Sequence, residues 1–195
     1  MGKGEKEKKD LYIEGVQNNG IINHYEYIIN SEGTIEIRHV LKPEGKMPLW
    51  FPRIGLTLTV SDALDQVKWY GRGPQENYPD RKTGYPMGIY ASTVQAMYEP
   101  YLMPQDYGLR TDVRWLQLTT DKGIGLQFKM NEWFNFNIYP YSTDNLTKAM
   151  YTYQLQKQKG MTLNLDYALP GSAVRPAVYS VLTRRCRRNI GEPSA

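Results

Sequence analysis

Trp69-Tyr70-Gly71-Arg72-Gly73-Pro74-Gln75-Glu76-Asn77-Tyr78-Pro79-Asp80-Arg81 packs aromatic rings, glycine, proline and charges of both signs into thirteen positions, a mixture that neither a regular strand nor a helix needs. Asp65 to Tyr70 reads as a strand that feeds straight into it. Gly71, Gly73 and Pro74 then break the ladder, because glycine reaches backbone angles that other residues avoid and proline lacks an amide donor. The segment is a shaped loop. Its polar groups, Arg72, Gln75, Glu76, Asn77, Asp80 and Arg81, either satisfy one another and the loop's own backbone or face a ligand, and the structural reading carries more weight. Trp69, ending a strand before a rigid loop, reads as a core anchor.

Outward from this loop, strands are predicted at 22–29, 34–41, 54–60, 65–70, 113–119, 124–130, 134–139 and 161–167, where apolar alternation and turn residues agree. Asn30-Ser31-Glu32-Gly33 and Asp121-Lys122-Gly123 supply turn chemistry, and Pro48 and Pro52 bracket Trp50-Phe51 in a loop. Ser142 or Thr143 can cap one short helix running to about Met150, with Asp144 in its first turn. Tyr151 to Gln156 reads as one more extended segment. Residues 81–109 lack periodicity and read as a long crossing over the sheet surface. The expected organisation is a flexible leader at 1–10, whose alternating Lys and Glu bury little apolar surface, a β-sandwich at 11–168, and an atypical basic tail at 169–195 lying outside it.

Composition narrows the function classes. The net charge of +4 comes from residues 1–10, with four Lys against three acids, and 171–195, with five Arg against Glu192, which leaves the body at −1. A nucleic-acid binder carries its charge on a folded face, so that partner is excluded. The single cysteine, Cys186, rules out an internal disulfide and a cysteine-rich metal cluster. No apolar run approaches the roughly 20 residues of a membrane helix, and residues 1–10 are too charged for a signal peptide. As written, the chain is expected to be cytoplasmic, without membrane contact, cofactor or metal.

No catalytic constellation emerges. Glu76, Asp80, Glu99, Asp112, Glu132 and Asp166 invite attention as glycosidase carboxylates, but nothing pairs them. Asn131-Glu132 has the look of a glycosidase strand-end pair, yet it follows a short antiparallel-looking strand. His24 and His39 have no evident partner for a triad or a zinc site, and His39 reads as a core histidine. What remains is a set of aromatics (Trp69, Tyr70, Tyr78, Tyr85, Tyr90, Tyr98, Tyr101, Trp115 and Trp133) beside Arg, Asn, Gln and carboxylates. Such a set suits a carbohydrate site and equally a packed sandwich core.

The opening stretch resembles the signature of the C-terminal domain, or small-chain domain, of glycoside hydrolase family 2 beta-galactosidases. The resemblance continues in order through Pro52-Arg53-Ile54-Gly55-Leu56, Met97-Tyr98-Glu99-Pro100-Tyr101, Arg110-Thr111-Asp112-Val113-Arg114-Trp115-Leu116, Phe134-Asn135-Phe136 and Leu163-Asn164-Leu165-Asp166-Tyr167, covering about residues 20 to 168. It implies an all-β antiparallel supersandwich similar to the galactose mutarotase fold, at the end of a multidomain enzyme whose catalytic glutamates lie in a separate barrel domain. It also implies a parent enzyme or large subunit as partner and a beta-galactoside or galactose as ligand. Trp69, Tyr70, Arg72, Glu76, Asn77, Tyr78 and Arg81 are then the candidate sugar or domain-interface contacts, none of them catalytic. The family's glycine-rich segment after the Leu163–Tyr167 strand, in some members ending in a substrate-contacting tryptophan, is replaced here by Ala168-Leu169-Pro170-Gly171-Ser172-Ala173-Val174-Arg175. With further strands expected before Leu11, the chain reads as a fragment of the full domain. A free-standing carbohydrate-binding module and a mutarotase-like sugar epimerase are the alternatives.

Overall fold

A computed structural model describes residues 5–14, 20–45, 53–168 and 177–185. Their regular elements are the strands β1 (Glu5–Glu14), β2 (Gly20–Ile29), β3 (Thr34–Glu44), β4 (Ile54–Val60), β5 (Gln66–Arg72), β6 (Met87–Thr93), β7 (Arg110–Thr119), β8 (Ile124–Tyr139), β9 (Met161–Ala168) and β10 (Ala177–Arg185), with one short helix, α1 (Thr143–Lys148). All strand pairings are antiparallel, in the order β1-β2-β3-β10-β8-β7-β5-β6, with β9 joined to β8 and β4 to β9. Among the described residues the fold is all-β apart from α1 and a single 3-10 turn, as alternation and turn chemistry lead one to expect.

Local chemistry explains the elements. In β5, Val67, Trp69 and Gly71 point inward while Lys68 and Tyr70 point outward, the two-residue period of a half-buried strand. The β2–β3 turn closes on Asn30, whose Oδ1 accepts from the backbone of Glu32 at 3.1 Å and Thr34 at 2.9 Å. Helix α1 begins at Ser142, whose hydroxyl accepts from Asn145 N at 3.1 Å.

Strand β8 is the pivot. The two strands expected at 124–130 and 134–139 are one, because the exposed Asn131-Glu132-Trp133 run marks a change of neighbour rather than a turn. One edge of β8 pairs with β10 over Ile124–Met130 and with β9 over Asn135–Tyr139, while β7 keeps the other edge. Both arms therefore share one core, in which Trp69, Leu116, Leu118, Phe128, Phe136, Ile138, Leu163 and Leu165 are almost wholly buried.

Four expectations are corrected. Glu5 to Asp10, read as leader, stand in β1, held by ten consecutive backbone pairings with β2 that set Lys8 opposite Glu26. Residues 177–185, read as lying outside the sandwich, run between β3 and β8, since Ala177 to Thr183 is apolar and β-prone before the arginines begin. Within 81–109, Met87–Thr93 forms the edge strand β6 against β5; its burial alternates, but Met87 and Ile89 stand on the exposed side, so the residue pattern hides the strand. Thr152–Gln154 is a 3-10 turn instead of extended chain, because Gln154 Oε1 accepts from Met150 N at 2.7 Å and Tyr151 N at 3.1 Å. The Pro48–Pro52 loop, residues 1–4, Leu169–Pro176 and the Cys186–Arg188 cluster lie outside the described residues.

Strand β10 fills the space between two long strands, so deleting residues 177–195 uncovers two facing edges. The truncated chain is expected to unfold at lower urea and to self-associate, read by urea titration and sedimentation. A truncation as stable and monomeric as the full chain would show that β10 contributes nothing to the sheet.

Candidate functional site

The signature loop leaves β5 at Arg72 and is closed by hydrogen bonds on every side. Trp69 is 1% exposed, and its indole Nε1 donates to Arg72 O at 3.0 Å across the end of its own strand. Glycine is required at two places. A Cβ on Gly71 would stand 2.8 Å from Val113 Cγ2, and one on Gly73 would stand 2.7 Å from Tyr90 Cδ2 and 3.1 Å from Trp69 Cζ2.

Asn77, 0% exposed, works as a backbone substitute. Its amide nitrogen donates to Leu109 O at 2.8 Å, its Oδ1 accepts from Thr111 N at 3.0 Å and Thr111 Oγ1 at 2.5 Å, and its Nδ2 donates to Gln75 O at 3.1 Å. Glu76 is a buried carboxylate that accepts from Tyr101 Oη, Arg81 Nη2, Gly108 N at 2.8 Å and Tyr78 Oη at 3.3 Å. Burial opposes its ionisation, but the donors from Tyr101, Gly108 and Arg81 outweigh it and hold its carboxyl below the usual range. Burial, then the Glu76 charge, push the Tyr78 phenol up.

A second ion cluster fastens the far side of the loop. Arg72 Nε donates to Asp112 Oδ2 at 2.6 Å, Lys82 Nζ reaches both Asp112 oxygens at 3.1 and 3.2 Å, and Arg72 Nη1 donates to Tyr85 O at 2.9 Å. Asp112 carries φ 55, the one positive value for a non-glycine residue among the described residues. Its backbone sits in the irregular stretch where β7 loses register with β8. Arg110 lies over the Trp69 ring at 5.4 Å and donates to Pro74 O and Gly108 O, both at 3.0 Å; burial pulls its guanidinium down to about 10.

Of the seven candidates, Tyr78 and Arg81 gather around the Glu76 carboxylate, Asn77 ties the same loop to Leu109 and Thr111, Trp69 and Arg72 brace the loop from beneath, and Tyr70 stands apart. Tyr70 is on the outward face of β5, 38% exposed, with Trp115 at 6.5 Å. Of the partners that complete the network, Tyr101, Arg110 and Thr111 stand in the ordered motifs, whereas Lys82 and Gly108 carry no local signal. Asp166 and Glu132 are separate from this cluster. Asp166 is fully buried, with Arg53 Nε at 2.8 Å and no hydrogen bond to its Oδ1. Burial, opposed by Arg53, pushes its carboxyl up to about 7. Glu132 is on the exposed middle of β8. His39 is buried with Nε2 3.1 Å from Asn23 Oδ1 and its ring stacked on Tyr25 at 4.3 Å; burial lowers it to about 4. Among the described residues no cluster of three metal-ligating side chains occurs, and no helix is long and apolar enough to cross a membrane.

Comparison with known proteins bears on family and fold. The family described as beta galactosidase small chain matches residues 4–175. A beta-galactosidase from Priestia megaterium is 37% identical over 145 residues, covering 74% of this chain and 14% of that protein. A beta-galactosidase from Vibrio cholerae is 39% identical over 115 residues, covering 59% of this chain and 10% of that protein. The chain thus spans a small part of the length of the relatives it matches. Among solved structures, the GalM/aldose epimerase homologue from C. elegans superimposes with a TM-score of 0.52 at 11% identity, covering 94% of this chain and 66% of that one, a likeness of fold.

Two outcomes test these placements. Trp69→Ala is expected to cost about 3–5 kcal/mol in urea unfolding, since it empties a buried ring site and frees the Arg72 carbonyl; a loss below about 1 kcal/mol would remove Trp69 from the core. Asp166 holds more protons folded than unfolded between its ordinary value of about 4 and its folded value of about 7, so on its account stability falls as pH rises through that window. Glu76 and Asp112, both held low, act in the opposite sense and only at lower pH. Asp166→Asn is expected to flatten the decline in urea midpoint across that window, and an unchanged slope would assign the ionisation to another group.

Proposed function

Because the chain belongs to the beta-galactosidase small chain family, we propose that it is a noncatalytic sandwich supporting a sugar-hydrolysing site carried mainly by a separate barrel domain, on the parent polypeptide or on a large subunit. One observation carries this reading: the two buried carboxylates on which the signature loop closes, Glu76 within it and Asp112 in β7, are both committed to holding it. Glu76 is ringed by Tyr78, Arg81, Tyr101 and Gly108, and Asp112 by Arg72 and Lys82. Hydrolysis of a glycoside needs an acid for the leaving oxygen and a second carboxylate to attack or to activate water, about 5–10 Å apart and open to substrate. A carboxylate already saturated by neutralising donors is poorly suited to either role.

The support lies in rigidity. A loop closed by charge-assisted hydrogen bonds keeps its shape against a neighbouring surface, and the half-exposed Arg81 and exposed Asp80 offer polar contacts there. A galactoside is the ligand of the complete site in this reading, and the single cysteine supports a cytoplasmic setting. The epimerase alternative asks for a histidine acting with a carboxylate, whereas His39 meets Asn23, Tyr25 and Tyr167 in the core.

The isolated chain is expected to leave lactose and a chromogenic beta-galactoside unhydrolysed. Mixing it with a separately expressed barrel-bearing beta-galactosidase chain, its own matching region deleted, is expected to restore turnover. Hydrolysis by the isolated chain that Glu132→Gln abolishes would overturn the noncatalytic assignment.

A further inference from the structure

Beyond the supporting role, a groove at the opposite end of β5 from the signature loop has the makings of a ligand site. Its volume is about 450 Å³, within the range of small-molecule pockets. Five segments meet there: the β4–β5 turn brings Asp62 and Asp65, the turn after β6 brings Tyr98, the stretch before β7 brings Tyr107, the end of β8 leads to Tyr141, and the approach to β9 brings Lys157.

We infer that this groove binds one neutral pyranose sugar, at a site separate from the signature loop and from any hydrolytic centre of the parent enzyme. The first reason is Tyr107. It lines the groove and is 2% exposed, yet its phenol oxygen has no hydrogen-bond partner, a condition that native structures rarely leave standing. The ring cannot turn away to find one. Tyr98 meets it edge-on at 5.2 Å, Tyr139 packs at 5.4 Å, its carbonyl accepts from Asn137 Nδ2 at 3.2 Å, and the next residue, Gly108, is tied to Glu76 at 2.8 Å. That oxygen is itself shut off from solvent, so a ligand hydroxyl, which both donates and accepts, meets it with a small shift of the groove lining.

The second reason is the rest of the lining. Tyr98 and Tyr141 are half-buried rings of the kind on which the apolar face of a sugar rests. Asp62 and Asp65 accept from hydroxyls, and Lys157 and Gln158 donate to them. The turn carrying Asp65 is fixed, because its carbonyl accepts from Val94 N at 3.0 Å and its Oδ1 from Gln66 Nε2 at 3.2 Å. Two carboxylates against one lysine disfavour an anionic ligand, so the lining selects a neutral polyol over a sugar phosphate.

The test is a titration of the ¹⁵N-labelled full chain with galactose to about 100 mM, a range that captures weak sugar binding. Saturable shifts are expected at the amides of Gln95, Gln158 and Gly160. Tyr107→Phe removes one oxygen and keeps the ring packing; it is expected to weaken binding about tenfold without lowering the urea midpoint, the loss that one hydrogen bond represents. Asp65→Asn is expected to weaken it as well. The absence of saturable shifts, shifts confined to Tyr78–Arg81, or wild-type affinity in Tyr107→Phe would each overturn the site. Binding is read here without hydrolysis or a partner chain, so the result stands apart from the complementation experiment.

Discussion

A single buried carboxylate organises the half of the molecule that faces outward from the core. Glu76 is ionised with 6% of its surface exposed, a costly arrangement unless donors surround it. It receives them from three places: Tyr78 and Arg81 in its own loop, Tyr101 in the following crossing, and the Gly108 amide just before β7. Remove the charge and each of those segments loses its tether at once. The constraint therefore runs from one residue to the path of some thirty residues of irregular chain between β5 and β7.

That path matters because irregular chain holds a fixed shape only where its backbone groups are satisfied. Asn77 supplies the backbone partners on one side, and Asp112 gathers Arg72 and Lys82 on the other. The positive φ at Asp112 is tolerated where its amide is held by Asn135 Oδ1 at 3.2 Å and its carboxylate by two cations. Between the two clusters the Arg110 guanidinium lies on Trp69 and ties Pro74 to the start of β7. A loop closed this way is a rigid surface, the property that a supporting domain needs and that a mobile catalytic lid does not have. The same tether at Gly108 fixes Tyr107 beside the distal groove, so the two ends of the domain share one brace.

Much of this was legible in the residues. The alternation of β4 and β5, the Asn30 turn and the Ser142 cap each rest on contacts within a few positions, and each stands where local chemistry puts it. The structural reading of the signature loop was also legible, since a glycine- and proline-broken segment with paired charges must satisfy itself or a ligand. The elements that escaped are those whose stabilising partner is remote. β1 is held by its ladder to β2, β6 by its place at the sheet edge, and β10 by two neighbours far back in the chain.

By itself the sequence determined the antiparallel β character, the positions of most central strands and, through an ordered series of motifs, the family. Those properties follow from period, turn chemistry and residue order, which are carried along the chain. Only the tertiary structure decided that β8 is one strand with two successive neighbours, that Glu76 gathers Tyr101 and Gly108 while Tyr70 faces away, and that Tyr98, Tyr107 and Tyr141 line one groove. Each of these is a meeting of residues from separate segments, and such meetings are set by the summed packing of the core rather than by anything written within reach of the residues themselves.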